Sequence, residues 1–92
     1  MPYLKSTDRK QLEYVETQIA MTDIDTPGKL NYLITLLLIR AVKGKTVNYT
    51  LLNGIYGAVM LAGKEFWLRV IEPYERKKQE ENDDVYPEEL TQ

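Results

Sequence analysis

Between Asn48 and Asn82, apolar residues recur at Leu52, Ile55, Tyr56, Val59, Ala62, Phe66, Val70 and Tyr74, at the three- and four-residue intervals of a helix face. The pattern predicts one amphipathic helix, about 50 Å long at ~1.5 Å per residue. A chain of 92 residues has too little else to cover such a face. The helix is therefore expected to lean on another helix, and on a second copy of the chain.

The remaining pattern is also helical. Leu12, Val15 and Ile19 form a short stripe that predicts a first helix from about Asp8 to Met21, with Asp8 and Gln11 spaced as a capping box. Thr26 followed by Pro27 marks the start of a second helix, because threonine can cap and proline lacks only an N–H that has no intrahelical partner there. That helix runs to about Lys43, and Gly44 stops it. Leu30, Ile34, Leu37, Leu38 and Ala41 form one apolar face, and Tyr32, Leu36 and Ile39 form another nearly opposite. A helix apolar on two faces is covered on two sides. One cover is internal, and the other is expected to be a neighbouring subunit. The short basic turn Lys43–Val47 then leads to Asn48 as the cap of the long helix.

The fold class expected is all-α: a short N-terminal helix and a long antiparallel helical hairpin, assembled as a homo-oligomer. Pro73 removes the hydrogen bond to the Arg69 carbonyl and predicts a kink or break. Residues 1–82 are expected to form one helical domain, and 83–92 a disordered acidic tail. Gly54, Ala58 and Ala62 recur every four residues on the long helix, where small side chains permit close approach of another helix. Gly57 and Gly63 weaken it by up to about 1 kcal/mol each relative to Ala, a cost that asks for a packing or ligand reason.

Composition narrows the chemistry. Cysteine and histidine are both absent, which removes disulfides, thiolate and imidazole metal ligands, cysteine nucleophiles and the usual general base. No catalytic residue, metal site or cofactor is expected. The formal net charge of −2 gives no global field for DNA or RNA. It is unevenly spread: residues 1–47 carry seven Lys/Arg against five Asp/Glu, and residues 48–92 five against nine. The opening Met1–Lys5 has no apolar signal core, and the apolar run Leu30–Val42 is short and broken by Asn31, Thr35 and Arg40. A cytoplasmic protein without membrane contact is expected.

Three groups of residues could hold a ligand. Tyr49 and Tyr56, and Met60, Trp67 and Tyr74, recur at intervals of seven and present flat surfaces on which nucleobases could stack, although ordinary helix packing uses the same residues. Arg40, Lys43 and Lys45 lie beside the N-terminus of the long helix, where free N–H groups favour an anion, although basic residues are common at helix ends in any case. Asn31 with Thr35, and Asn53, are polar among apolar neighbours and either bridge helices or read a polar ligand edge. Glu65 and Arg69 have the spacing of an intrahelical ion pair that could also reach a neighbouring subunit or a ligand. Glu13 and Glu16, with Glu80, Glu81 and Asp83, resemble the acidic pairs of helical magnesium-dependent nucleotide pyrophosphatases. Paired glutamates are also ordinary on exposed helices.

A broader resemblance rests on Leu30-Asn31-Tyr32, Ile34-Thr35, Tyr49, Leu52-Asn53, Gly57, Glu65-Phe66, Arg69-Val70, Pro73-Tyr74-Glu75, Lys78, Glu81-Asn82 and Asp84-Val85-Tyr86, with the opening Met1-Pro2-Tyr3. Together these resemble a family of small uncharacterised proteins common in bacteriophage genomes and prophages. The resemblance covers residues 1 to about 86 and is most specific from Glu65 to Tyr86. The chain departs from it at Gly54, where an acidic residue is expected, and at Trp67-Leu68, where an aromatic followed by Arg is expected.

The resemblance carries no activity, but it implies a phage setting. Phage proteins of this kind include helical oligomers that bind host signalling nucleotides. The function expected is a non-enzymatic protein that sequesters a nucleotide-derived immune signal, of the cyclic nucleotide or ADP-ribose type, in pockets between subunits. Tyr49, Trp67 or Tyr74 would stack, Arg40, Lys45 and Arg69 would hold phosphate, and Asn31 or Asn53 would read a polar edge. The alternatives are a helical protein that blocks a host or virion protein, and the magnesium-dependent pyrophosphatase.

Overall fold

A computed structural model describes residues 4–90. The Met1-Pro2-Tyr3 opening and the last two residues of the acidic tail lie outside the described residues. Within them the protein is all-α, as the periodicity predicts. The helices are α1 (Ser6–Lys10), α2 (Glu13–Ala20), α3 (Pro27–Val42), α4 (Tyr49–Phe66) and α5 (Glu72–Asn82), followed by a 3-10 turn at Glu88–Leu90. A π-helical turn at Trp67–Ile71 joins α4 to α5 without a break. The three make one helical run of 34 residues.

The first helix differs from expectation. The ladder breaks after Lys10, where the amides of Gln11 and Leu12 reach back three residues, to Asp8 (3.2 Å) and Arg9 (3.0 Å). Leu12 takes the bridge conformation, φ −107° and ψ 4°, and α2 starts afresh from it. Asp8 lies inside α1 and does not cap it.

The caps of the later helices are those the residue types predict. Thr26 Oγ1 accepts the Lys29 N–H at 3.1 Å, with Pro27 next in line. The Asn48 side-chain oxygen accepts the Leu51 N–H at 2.9 Å. Between α3 and α4, Lys43 (φ −58°, ψ 130°) and Gly44 (φ +79°) are the central pair of a type II turn closed by the Lys45 N–H to the Val42 carbonyl at 3.1 Å. The third residue of such a turn needs positive φ, which glycine adopts without a Cβ penalty.

Pro73 does not end the helix. The Glu72 N–H donates to the Trp67 carbonyl, five residues back. The wider turn relieves the contact a proline ring makes with the carbonyl four residues before it. The sequence-predicted interruption is thus a change of register.

The chain divides into two compact units, Met1–Val59 and Met60–Gln92, with the boundary inside α4. No described residue is fully buried in either. In the first unit, half-buried Leu38, Ala41, Val42, Leu51 and Ile55 gather on the two helices flanking the type II turn. Tyr32, Leu36 and Ile39, on the other face of α3, stay exposed, and so do Leu30, Ile34 and Leu37 of the face expected to be covered internally.

Candidate functional site

The eight candidate residues fall into both units. Asn31, Arg40, Lys45, Tyr49 and Asn53 belong to the first unit, and Trp67, Arg69 and Tyr74 to the second.

In the first unit the type II turn sets the geometry. Arg40 lies in the last turn of α3, Lys43 and Lys45 flank Gly44, and Tyr49 is the first residue of α4. Three cations are therefore concentrated within six residues, just ahead of an aromatic ring that is 83% exposed. Asn53 follows Tyr49 by four residues and lies on the same side of α4. The cap takes one of the first-turn donors, since Asn48 binds Leu51. Helix geometry leaves the Tyr49 and Thr50 amides without an intrahelical acceptor.

Asn31 stands apart from this group. It precedes Arg40 by nine residues, which places the two on opposite sides of α3. Thr35 Oγ1 donates to the Asn31 carbonyl at 2.8 Å and lies 3.4 Å from its side-chain oxygen. The Thr35 hydroxyl is thus satisfied within its own helix.

In the second unit Arg69 and Tyr74 already have partners. Arg69 Nε donates to Glu65 at 2.5 Å. Lys78 Nζ sits 5.6 Å from the centre of the Tyr74 ring, a cation–π arrangement. Trp67 and Arg69 are two residues apart and point to opposite sides of the helix. The π turn also breaks the seven-residue stripe. One added residue rotates everything beyond it by about 100°, so Tyr74 leaves the line of Met60 and Trp67.

Several partnerships escaped the sequence reading. Arg76 pairs with Glu72 at 2.6 Å, and Lys29 with Asp25 at 2.7 Å. Gln79 Nε2 donates to Asp84 at 2.6 Å, whose other oxygen accepts the Tyr86 N–H at 2.9 Å. The spacing of four that signals such pairs is written in the sequence at 25/29, 72/76 and 74/78. Among the described residues, no three acidic side chains are grouped so as to hold a metal ion, the glutamates at 13, 16, 80 and 81 included. No helix among them is long and apolar enough to cross a membrane.

Residues 1–85 match a family described as a domain of unknown function, DUF6899. The chain belongs to that family. No curated protein and no solved structure matches it.

Proposed function

We propose that this DUF6899 member is a non-enzymatic binding protein that works as an assembly of copies of itself and takes a nucleotide-derived anion where the copies meet. The observation that carries the reading is the lack of any buried side chain among the described residues. A folded domain is held chiefly by apolar burial, at about 1.5–3 kcal/mol for each large side chain fully covered. Here Leu37, Ile39, Tyr56, Met60, Phe66 and Trp67 are all more than half exposed. Exposure on that scale in a small chain is relieved by association.

The ligand class follows from the type II turn. Arg40, Lys43 and Lys45 supply positive charge, Tyr49 a flat exposed ring, and Asn53 an amide on the same side of α4. Phosphate and nucleobase suit those groups respectively. In the second unit Arg69 and Trp67 diverge on one helix, so a nucleotide held there would meet them from different copies. In the phage setting that the resemblance implies, the cargo would be a host immune signal.

Native mass spectrometry of the protein, alone and with cyclic nucleotides and ADP-ribose derivatives, tests the reading. An oligomer that gains discrete ligand mass is the expected result. A monomer would overturn the assembly, and an oligomer that takes up none of the panel would turn the search to a protein partner.

A further inference from the structure

One face of α3 holds half-buried Leu38 and Ala41 together with Leu30, Ile34 and Leu37, which are 48%, 36% and 61% exposed, and the other holds Tyr32, Leu36 and Ile39, which are 64%, 43% and 59% exposed. The second set has the i, i+4, i+7 spacing of one stripe, about 10 Å long. Thr35 borders it, and its hydroxyl is already satisfied by the Asn31 carbonyl. Covering this stripe would therefore not strand the Thr35 hydroxyl.

The two ends of the stripe carry opposite charge. A recess at its start is formed by Thr22, Asp23, Gly28, Lys29, Tyr32 and Leu33. Lys29 is neutralised there by Asp25 at 2.7 Å, which leaves Asp23 as the balance of charge. A second, more apolar recess at the other end is formed by Leu38, Ile39, Val42 and Lys43, with Arg40 and Lys45 close by in sequence. One end is acidic and the other basic, with Leu36 midway.

Resting on the assembly proposed above, we infer that two copies pair through this stripe, α3 against α3 and antiparallel, with Leu36 on the two-fold axis. An isologous interface requires each patch to complement itself, and an acidic-to-basic stripe does so only in the antiparallel sense. That arrangement sets the recess at Asp23 against Lys43 of the second copy, and Tyr32 over its Ile39–Arg40 turn. It also opposes the helix dipoles. A parallel pair would instead crowd Arg40, Lys43 and Lys45 of both copies at one end. Arg40, a candidate ligand cation, then stands at the rim of the interface, where a pocket shared by two subunits would lie.

The natural chain has no cysteine, so single substitutions report proximity without background. Leu36→Cys under mild oxidation should give a covalent dimer on a non-reducing gel. Tyr32→Cys alone should not, but should cross-link when mixed with Arg40→Cys. Leu36→Glu should weaken self-association at least tenfold by analytical ultracentrifugation. Self-linkage of Tyr32→Cys and of Arg40→Cys would show a parallel pair and overturn the orientation. Failure of Leu36→Cys to link while the unmodified chain is oligomeric would overturn this interface and leave the proposed assembly standing. A monomeric unmodified chain at all concentrations would remove both.

Discussion

The amide of Glu72 donates to the carbonyl of Trp67, five residues back, and the next residue is Pro73. Proline offers no N–H to the carbonyl of Leu68 or Arg69, and its ring crowds a regular α turn. The π turn is the backbone's accommodation of that residue. Pro73→Ala should restore a continuous α ladder and stabilise the helix by roughly 1–3 kcal/mol. The checks are the denaturation midpoint at fixed protein concentration and protection of the newly created amide at that position from hydrogen exchange. An unprotected amide would show that the π turn has another cause.

The caps give a second prediction. Thr26→Ala and Asn48→Ala each remove an acceptor from a first-turn N–H, at 3.1 and 2.9 Å respectively. Each should cost about 1 kcal/mol, read from urea unfolding, while the Gly replacements cost only a few tenths. Gly44→Ala should cost about 1 kcal/mol for a different reason, since φ is +79° there.

How far the fold could be read in advance follows from which forces are local. Thr26, Pro27, Gly44 and Asn48 act within four residues of themselves, and their roles are legible in the sequence. Pro73 announces a disturbed ladder, but whether the chain answers with a break, a bend or a π turn depends on the surrounding helix. The division of the first helix at Gln11–Leu12 carries no proline or glycine to announce it. The site is less legible because spacing alone does not reveal commitment. Tyr74 reads as a free stacking surface until Lys78 is seen over its ring, and Trp67 and Tyr74 share a line only while the helix stays α.

Glycines on α4 test for an external neighbour by the sign of their effect. A Cβ built at Gly54 or Gly63 meets no heavy atom within 4 Å. Gly54→Ala and Gly63→Ala should therefore raise intrinsic helix stability by about 1 kcal/mol each. If a second copy crosses closely there, the same changes lower the assembly constant, measurable by sedimentation. Helicity rising with unchanged association would place the crossing elsewhere.

Arg69 separates a structural pair from a ligand contact. Its pair with Glu65 is exposed, 67% and 33% for the two side chains, so its loss should cost only a few tenths of a kcal/mol. Arg69→Ala should accordingly leave the oligomer intact and abolish nucleotide binding. Glu65→Gln removes the carboxylate that competes with an anion and should tighten binding. Loss of assembly in Arg69→Ala would reassign the side chain to the subunit interface.

The C-terminal segment gives the last prediction. Asp83 leaves α5 at φ 63° and ψ 151°, a conformation unfavourable for any residue with a Cβ, while Asp84 holds Gln79 at 2.6 Å and the Tyr86 amide at 2.9 Å. These contacts are short-range and bury no apolar side chain, so removing residues 83–92 should leave α5 and the oligomer in place. The deletion takes away Asp83, Asp84, Glu88 and Glu89 and no cation, which moves the formal net charge from −2 to +2. An anionic ligand should then bind as well as before or more tightly, with the gain shrinking as salt screens the exposed charges. Calorimetric titration at low and physiological ionic strength measures this. A deletion that destroys binding at both would point to a tail that grips a protein partner.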